Sequence, residues 1–200
     1  MWFINGVLAL MVLLAVDSGA KNGCDDAVKG RCQNGKASVC LTSKCPHATI
    51  GGKQFKNSML ARHNEYRKKP FTNGSFGGDM NVLTWDDQLA AAALGWAHVL
   101  CITNVLEHDD NECRVTARYD SVGQNAFVGS GREYGNDTYA ANQATESWYK
   151  EIQNTTPQYM FPFKWNVDAG HYTALVWSRS YRMGCGLVRL FQGVVGYKVW

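Results

Sequence analysis

The chain has 200 residues, and its 20 Lys and Arg against 17 Asp and Glu leave a formal charge of only +3. That charge is spread thinly and excludes a nucleic-acid surface. Seven cysteines and an aromatic-rich composition describe one core-forming domain crosslinked in an oxidising compartment.

In chain order the first feature is a leader. Val7 to Val16 carries no charge and is too short to span a bilayer. It runs into Asp17-Ser18-Gly19-Ala20, with small residues at minus three and minus one. A signal peptide over 1–20, cleaved after Ala20, is therefore predicted, with an uncleaved anchor as the alternative because no Lys or Arg precedes the apolar run. No later apolar run has membrane length. The leader points to secretion into the extracellular space. Three acceptor tripeptides for N-glycosylation, at Asn73, Asn136 and Asn154, fit that route.

Residues 21–52 hold Cys24, Cys32, Cys40 and Cys45 among Gly, Lys, Asn and Ser. Their spacing matches no zinc ribbon or finger, so a disulfide-bound extension is expected. With Cys101 and Cys113 there are six candidates, which admit fifteen pairings.

From Gln54 to Lys68, Phe55, Met59, Arg62 or His63, and Tyr66 recur at helical spacing until Pro70. The cluster Arg67-Lys68-Lys69 then suits a helix C-terminus. Asp86 is placed to N-cap a second helix with Leu89, Ala93, Trp96, Ala97 and Leu100 along one face. A third runs from Ala140 to Ile152, where Glu151 shares a stripe with Ala141, Ala144 and Trp148. Tyr159-Met160-Phe161-Pro162-Phe163 is either an apolar wall for a pocket or a packed surface loop. Residues 171–200 change period. His171, Thr173, Leu175 and Trp177 alternate with Tyr172, Ala174 and Val176, and breaks at Gly184 and Gln192-Gly193 predict three antiparallel strands.

Four segments in this order carry a resemblance: His63-Asn64-Glu65-Tyr66-Arg67, Gly123-Gln124-Asn125, Trp148-Tyr149-Lys150-Glu151, and Gly170-His171-Tyr172-Thr173 leading to Val176-Trp177. Over about residues 54–200 the chain resembles the CAP superfamily of pathogenesis-related and cysteine-rich secretory proteins. The extension and Glu107-His108-Asp109-Asp110 with Cys113-Arg114 resemble its arthropod antigen 5 branch, a group of venom and salivary allergens.

The resemblance implies an α+β fold, an α-β-α sandwich with a three-stranded antiparallel sheet, occupying residues 53–200. It implies the pairings Cys24 with Cys40, Cys32 with Cys113 and Cys45 with Cys101. Cys185 is left over, and the family's next segment, which carries a partner cysteine, lies beyond Trp200. The expectation is a chain cut short at its C-terminus, with Cys185 a free thiol open to intermolecular pairing.

The family's cleft of two histidines and two acids maps onto His108, Gln124, Glu151 and His171, with Gln124 departing from the acid pattern. Two imidazoles and a carboxylate suit a weak zinc ion, whereas glutamine is a poor ligand. The plain alternative is a buried His–Glu pair holding a helix in place. His63, Asn64 and Arg67 are expected to bond to backbone and neighbouring loops. No metalloprotease helix, nucleophile elbow or Cys–His pair is present. The expected function is a secreted, non-enzymatic effector or allergen that requires no cofactor. Its expected partner is an extracellular or host protein, with a sterol or fatty acid as a ligand. The alternative is a metal-assisted hydrolase with Glu151 as base.

Overall fold

The computed structural model describes residues 10–11, 24, 28, 30–32, 37–69, 79–160 and 163–200. The leader apart from Leu10–Met11, the acceptor Asn73, the helix-stopping Pro70 and the loop residues Phe161 and Pro162 lie outside these. Five α-helices are described: α1 Lys53–Arg67, α2 Asp87–Thr103, α3 Asp137–Lys150, α4 Pro157–Met160 and α5 Gly170–Leu175. The strands are β1 Leu10–Met11, β2 Thr49–Ile50, β3 Thr84–Trp85, β4 Gly129–Gly131, β5 Arg182–Gly184, β6 Val188–Phe191 and β7 Tyr197–Val199.

The three long helices form where periodicity and caps agree. Phe55, Met59, His63 and Tyr66 make the buried stripe of α1. At α2 the Asp86 carboxylate accepts from the Gln88 and Leu89 N–H groups at 2.8 and 3.2 Å. Its second oxygen takes Arg118 and the Tyr119 hydroxyl. Asn104, in the left-handed region at φ 58°, ends the helix. Asn136 caps α3 through the Tyr139 N–H. The small buried residues Ala140, Ala141 and Ala144 let α3 pack closely on α1, where the Thr145 hydroxyl lies 3.6 Å from the Met59 sulfur.

The last thirty residues correct the expected sheet. Gly170–Leu175 is a helix, and the antiparallel sheet has four strands in the order β2-β6-β7-β4. A second, parallel set runs β1-β5-β3. Alternation over so short a run also places Tyr172, Thr173 and Leu175 on the buried side of one helical turn and a half. Glu151 decides the outcome, because its Oε2 accepts the N–H groups of His171 and Tyr172 at 2.8 and 3.1 Å, the orphan donors of a helix start.

Along β6 and β7 the side chains alternate between two cores. Val188, Leu190 and Trp200 pack with Ala97, Leu100 and Cys101 of α2. Leu187 and Val199 join Met183 and Cys185 in the main core with α1, α3 and α5. Helices thus lie against both faces of the sheet region. Cys185 is free, but it is only 9% exposed and burial pushes its thiol well up from the usual range. Burial thus works against the expected intermolecular pairing, since it limits access to the sulfur and disfavours the thiolate.

The extension is held by the bridges Cys24–Cys40, Cys32–Cys113 and Cys45–Cys101. It also buries Val28, Ala37 and Val39 against Leu89 and Ala92 of α2. Gly95 makes this approach feasible, since a Cβ there would stand 2.4 Å from the Ser38 carbonyl oxygen. The His63-Asn64-Glu65-Tyr66-Arg67 segment bonds to backbone and loops as expected. Asn64 gives to and takes from the backbone of Leu83. The Arg67 guanidinium donates to the carbonyls of Asn81, Leu175, Trp177, Ser178 and Ser180. Burial lowers its pKa to about 10.

Candidate functional site

Four segments meet at one cleft of about 700 Å³, within the roughly 300–1,000 Å³ of small-ligand sites. His108 comes from the loop after α2, Gly123, Gln124 and Asn125 from the loop before β4, and His171 and Thr173 from α5. Phe163, Trp165, Val167 and Trp177 form an apolar wall, with Phe163 edge-on to Trp177 at 5.0 Å. Of the apolar loop read in the sequence, Phe163 therefore lines the cleft, while Tyr159 is exposed.

The two imidazole rings stand 6.1 Å apart between centroids. Each is oriented by an oxygen. His171 Nδ1 lies 2.6 Å from Glu151 Oε1, and a carboxylate accepts only, so the ring donates from Nδ1. His108 Nδ1 lies 2.7 Å from Gln124 Oε1, which also accepts the Asp109 N–H at 3.1 Å. The second donor fixes the orientation of the amide, so His108 donates from Nδ1 as well. In the neutral rings this leaves both Nε2 atoms as bare acceptors. Gln124 thus orients His108 with a neutral side chain.

Glu151, at the end of α3, does not line the cleft. Its Oε1 is held by His171 and its Oε2 by two backbone donors, so it positions His171 and α5. Asn125 adds a bond from its amide to the His171 carbonyl at 3.0 Å. Trp148 donates to the Ala126 carbonyl at 3.1 Å and lies 6.4 Å from the His171 ring, near parallel to it. Trp148 also lies 5.9 Å from the ring of His63, whose Nδ1 donates to the Met59 carbonyl and whose pKa burial lowers to about 4. His63 is a core residue, apart from the cleft.

Other site residues support the frame. The Thr173 hydroxyl donates to the Gly170 carbonyl, and Tyr172 is fully buried, with burial raising its phenol pKa. Arg114 was visible in the sequence only as part of a motif. It lines the cleft and is tied to the Asp109 carbonyl, and burial lowers its pKa. Asp109 is itself buried against the Ser38 hydroxyl of the extension. No spacing rule pointed to Arg114, because its contacts come from a loop. Among the described residues no three His, Cys, Asp or Glu side chains are grouped to hold a metal ion.

The model of the Cysteine-rich secretory protein family, CAP, matches residues 60–199. The chain belongs to the CAP family. Among its relatives, Venom allergen 5 of Dolichovespula arenaria is 30% identical over 179 residues, covering 80% of this chain and 84% of that protein. Venom allergen 5.02 of Dolichovespula maculata is also 30% identical, covering 86% and 83%. Venom allergen 5 of Tityus serrulatus is 37% identical over a shorter stretch, 56% of this chain and 26% of that protein. The match, residues 60–199, takes in every residue that lines the cleft, from His108 to Trp177. Cys24, Cys32, Cys40 and Cys45 precede it.

Proposed function

We propose that the protein is a secreted CAP protein of the venom-allergen kind that acts by binding, without turnover. Several relatives are venom allergen 5 proteins, and no described helix is long and apolar enough to cross a membrane. The targets are an extracellular host protein and, in the cleft, a small hydrophobe such as a sterol or fatty acid or a weakly held divalent cation.

One observation carries the non-enzymatic reading. A hydrolase of this geometry needs a carboxylate free to take a proton from water, and both Glu151 oxygens are committed to His171 and to the start of α5. For a cation such as zinc, the residues fit a site of two imidazole Nε2 atoms, from His108 and His171, completed by solvent. Glu151 and Gln124 would then be the outer partners that fix the ring tautomers. Bound zinc would supply a Lewis acid and an acidified water.

The test is calorimetric titration of the secreted protein with zinc, alongside His108→Ala and His171→Ala. Weak binding, lost at least tenfold in either variant, is the expected result. The hydrolase alternative gains support if an esterase or peptidase turnover survives repurification and disappears in a folded Glu151→Gln protein.

A further inference from the structure

Trp165 and Val167 are 68% and 76% exposed, high values for large apolar side chains flanking a cleft mouth. Trp165 is nonetheless held in place. Its benzo edge lies over Gly170, where a Cβ would stand 3.0 Å from the ring. One edge of the ring is therefore seated on backbone, and the rest is offered outward as a flat platform.

Asn166, between the two, donates its amide to the Asn154 carbonyl at 2.7 Å. Asn154 in turn donates from Nδ2 to the Asp168 carbonyl at 2.7 Å. Asn154 is exposed and opens Asn154-Thr155-Thr156, an N-glycosylation tripeptide. The acceptor amide thus stands at the border of an apolar patch that has no cover among the described residues. Asn136, the other described acceptor, is exposed too, and its Oδ1 caps α3.

We propose that Asn154 carries an N-linked glycan whose first sugars lie over Trp165 and Val167, covering the patch and narrowing the cleft mouth. The apolar face of a pyranose ring and the N-acetyl methyl group suit an exposed indole, and the anchor places them beside it at little entropic cost. Transfer forms a bond from Asn154 Nδ2 to C1 of N-acetylglucosamine. The C1–O bond to the polyprenyl diphosphate donor breaks, and one amide proton leaves with the diphosphate. The second amide proton remains on Nδ2. This inference shares only secretion with the proposed function. The zinc titration does not depend on it.

The experiment uses the full chain secreted from a eukaryotic cell line. Glycopeptide mass spectrometry should find Asn154 occupied. With labelled N-acetyl groups, the methyl resonance of the Asn154 sugar should lie upfield of that of a free glycan and lose the shift in Trp165→Ala. Enzymatic removal of the glycan from the unmutated protein should raise acrylamide quenching of tryptophan emission and leave a folded Trp165→Phe protein unchanged. An unoccupied Asn154 overturns the proposal. So does an occupied one whose methyl shift ignores Trp165 and whose removal leaves quenching unaltered, as would follow if a second copy or another partner covered the patch.

Discussion

His63 is a base locked in the wrong place for titration. Its Nδ1 donates to Met59, and its Nε2 is buried among the described residues without a partner, so protonation would bury an unanswered N–H beside the Arg67 charge. The folded pKa, near 4, lies below the 6.5 of a free imidazole. The stability from keeping the ring neutral is thus fully present above about pH 6.5 and is lost as pH falls toward 4, up to about 3 kcal/mol. Urea melts between pH 7 and 5 should show this slope, and a folded His63→Leu protein should show a flatter one. His98 adds to it in the same direction. Its Nδ1 accepts the Cys45 N–H at 3.1 Å, and burial, then the Lys44 charge, lowers its pKa.

At the level of elements, what could be read in the sequence tracks length. The helices α1, α2 and α3 repeat their apolar residues over several turns, and each was placed within a few residues of its observed bounds. The six residues of α5 alternated well enough to read as a strand, and only the carboxylate of Glu151, distant in sequence, assigns them to a helix. Strands β2, β3 and β4 are two or three residues long, too short for a period to show, and they supply the extra pairings. The cleft was legible through its motif residues. What the motif did not reveal is that Glu151 meets the cleft only through His171 and that Gln124 orients His108, because both depend on which atoms face which. Gly95 is an element-scale dependence of the same kind. In Gly95→Ala the new methyl meets the Ser38 carbonyl oxygen, so α2 and the extension must part. A loss of about 1–3 kcal/mol by urea melt and faster proteolysis near Ser38 are expected. A variant as stable as the parent would show that the extension sits loosely on α2.

On the scale of the whole molecule, two bridges join the extension to the body and one closes it upon itself. Cys32–Cys113 and Cys45–Cys101 close loops of 81 and 56 residues, against 16 for Cys24–Cys40. Chain-entropy arguments give roughly 4 kcal/mol for each long loop and about 3 kcal/mol for the short one. Replacing Cys45 and Cys101 by Ser should therefore lower Tm more than replacing Cys24 and Cys40, as differential scanning fluorimetry would measure. The reverse order would mean that the folded contacts of the extension, not loop closure, set the difference.

Cys185 gives this crosslinked molecule an internal clock. It is the single free cysteine among seven, and it sits at the seam between the sheet and three helices. A thiol reagent added to native protein reacts only in the moments when that seam opens. The labelling rate, divided by the rate for an unfolded chain, is then the opening equilibrium itself. The same cysteine thus lets the stability of the core be followed in dilute buffer, without denaturant and with every bridge intact.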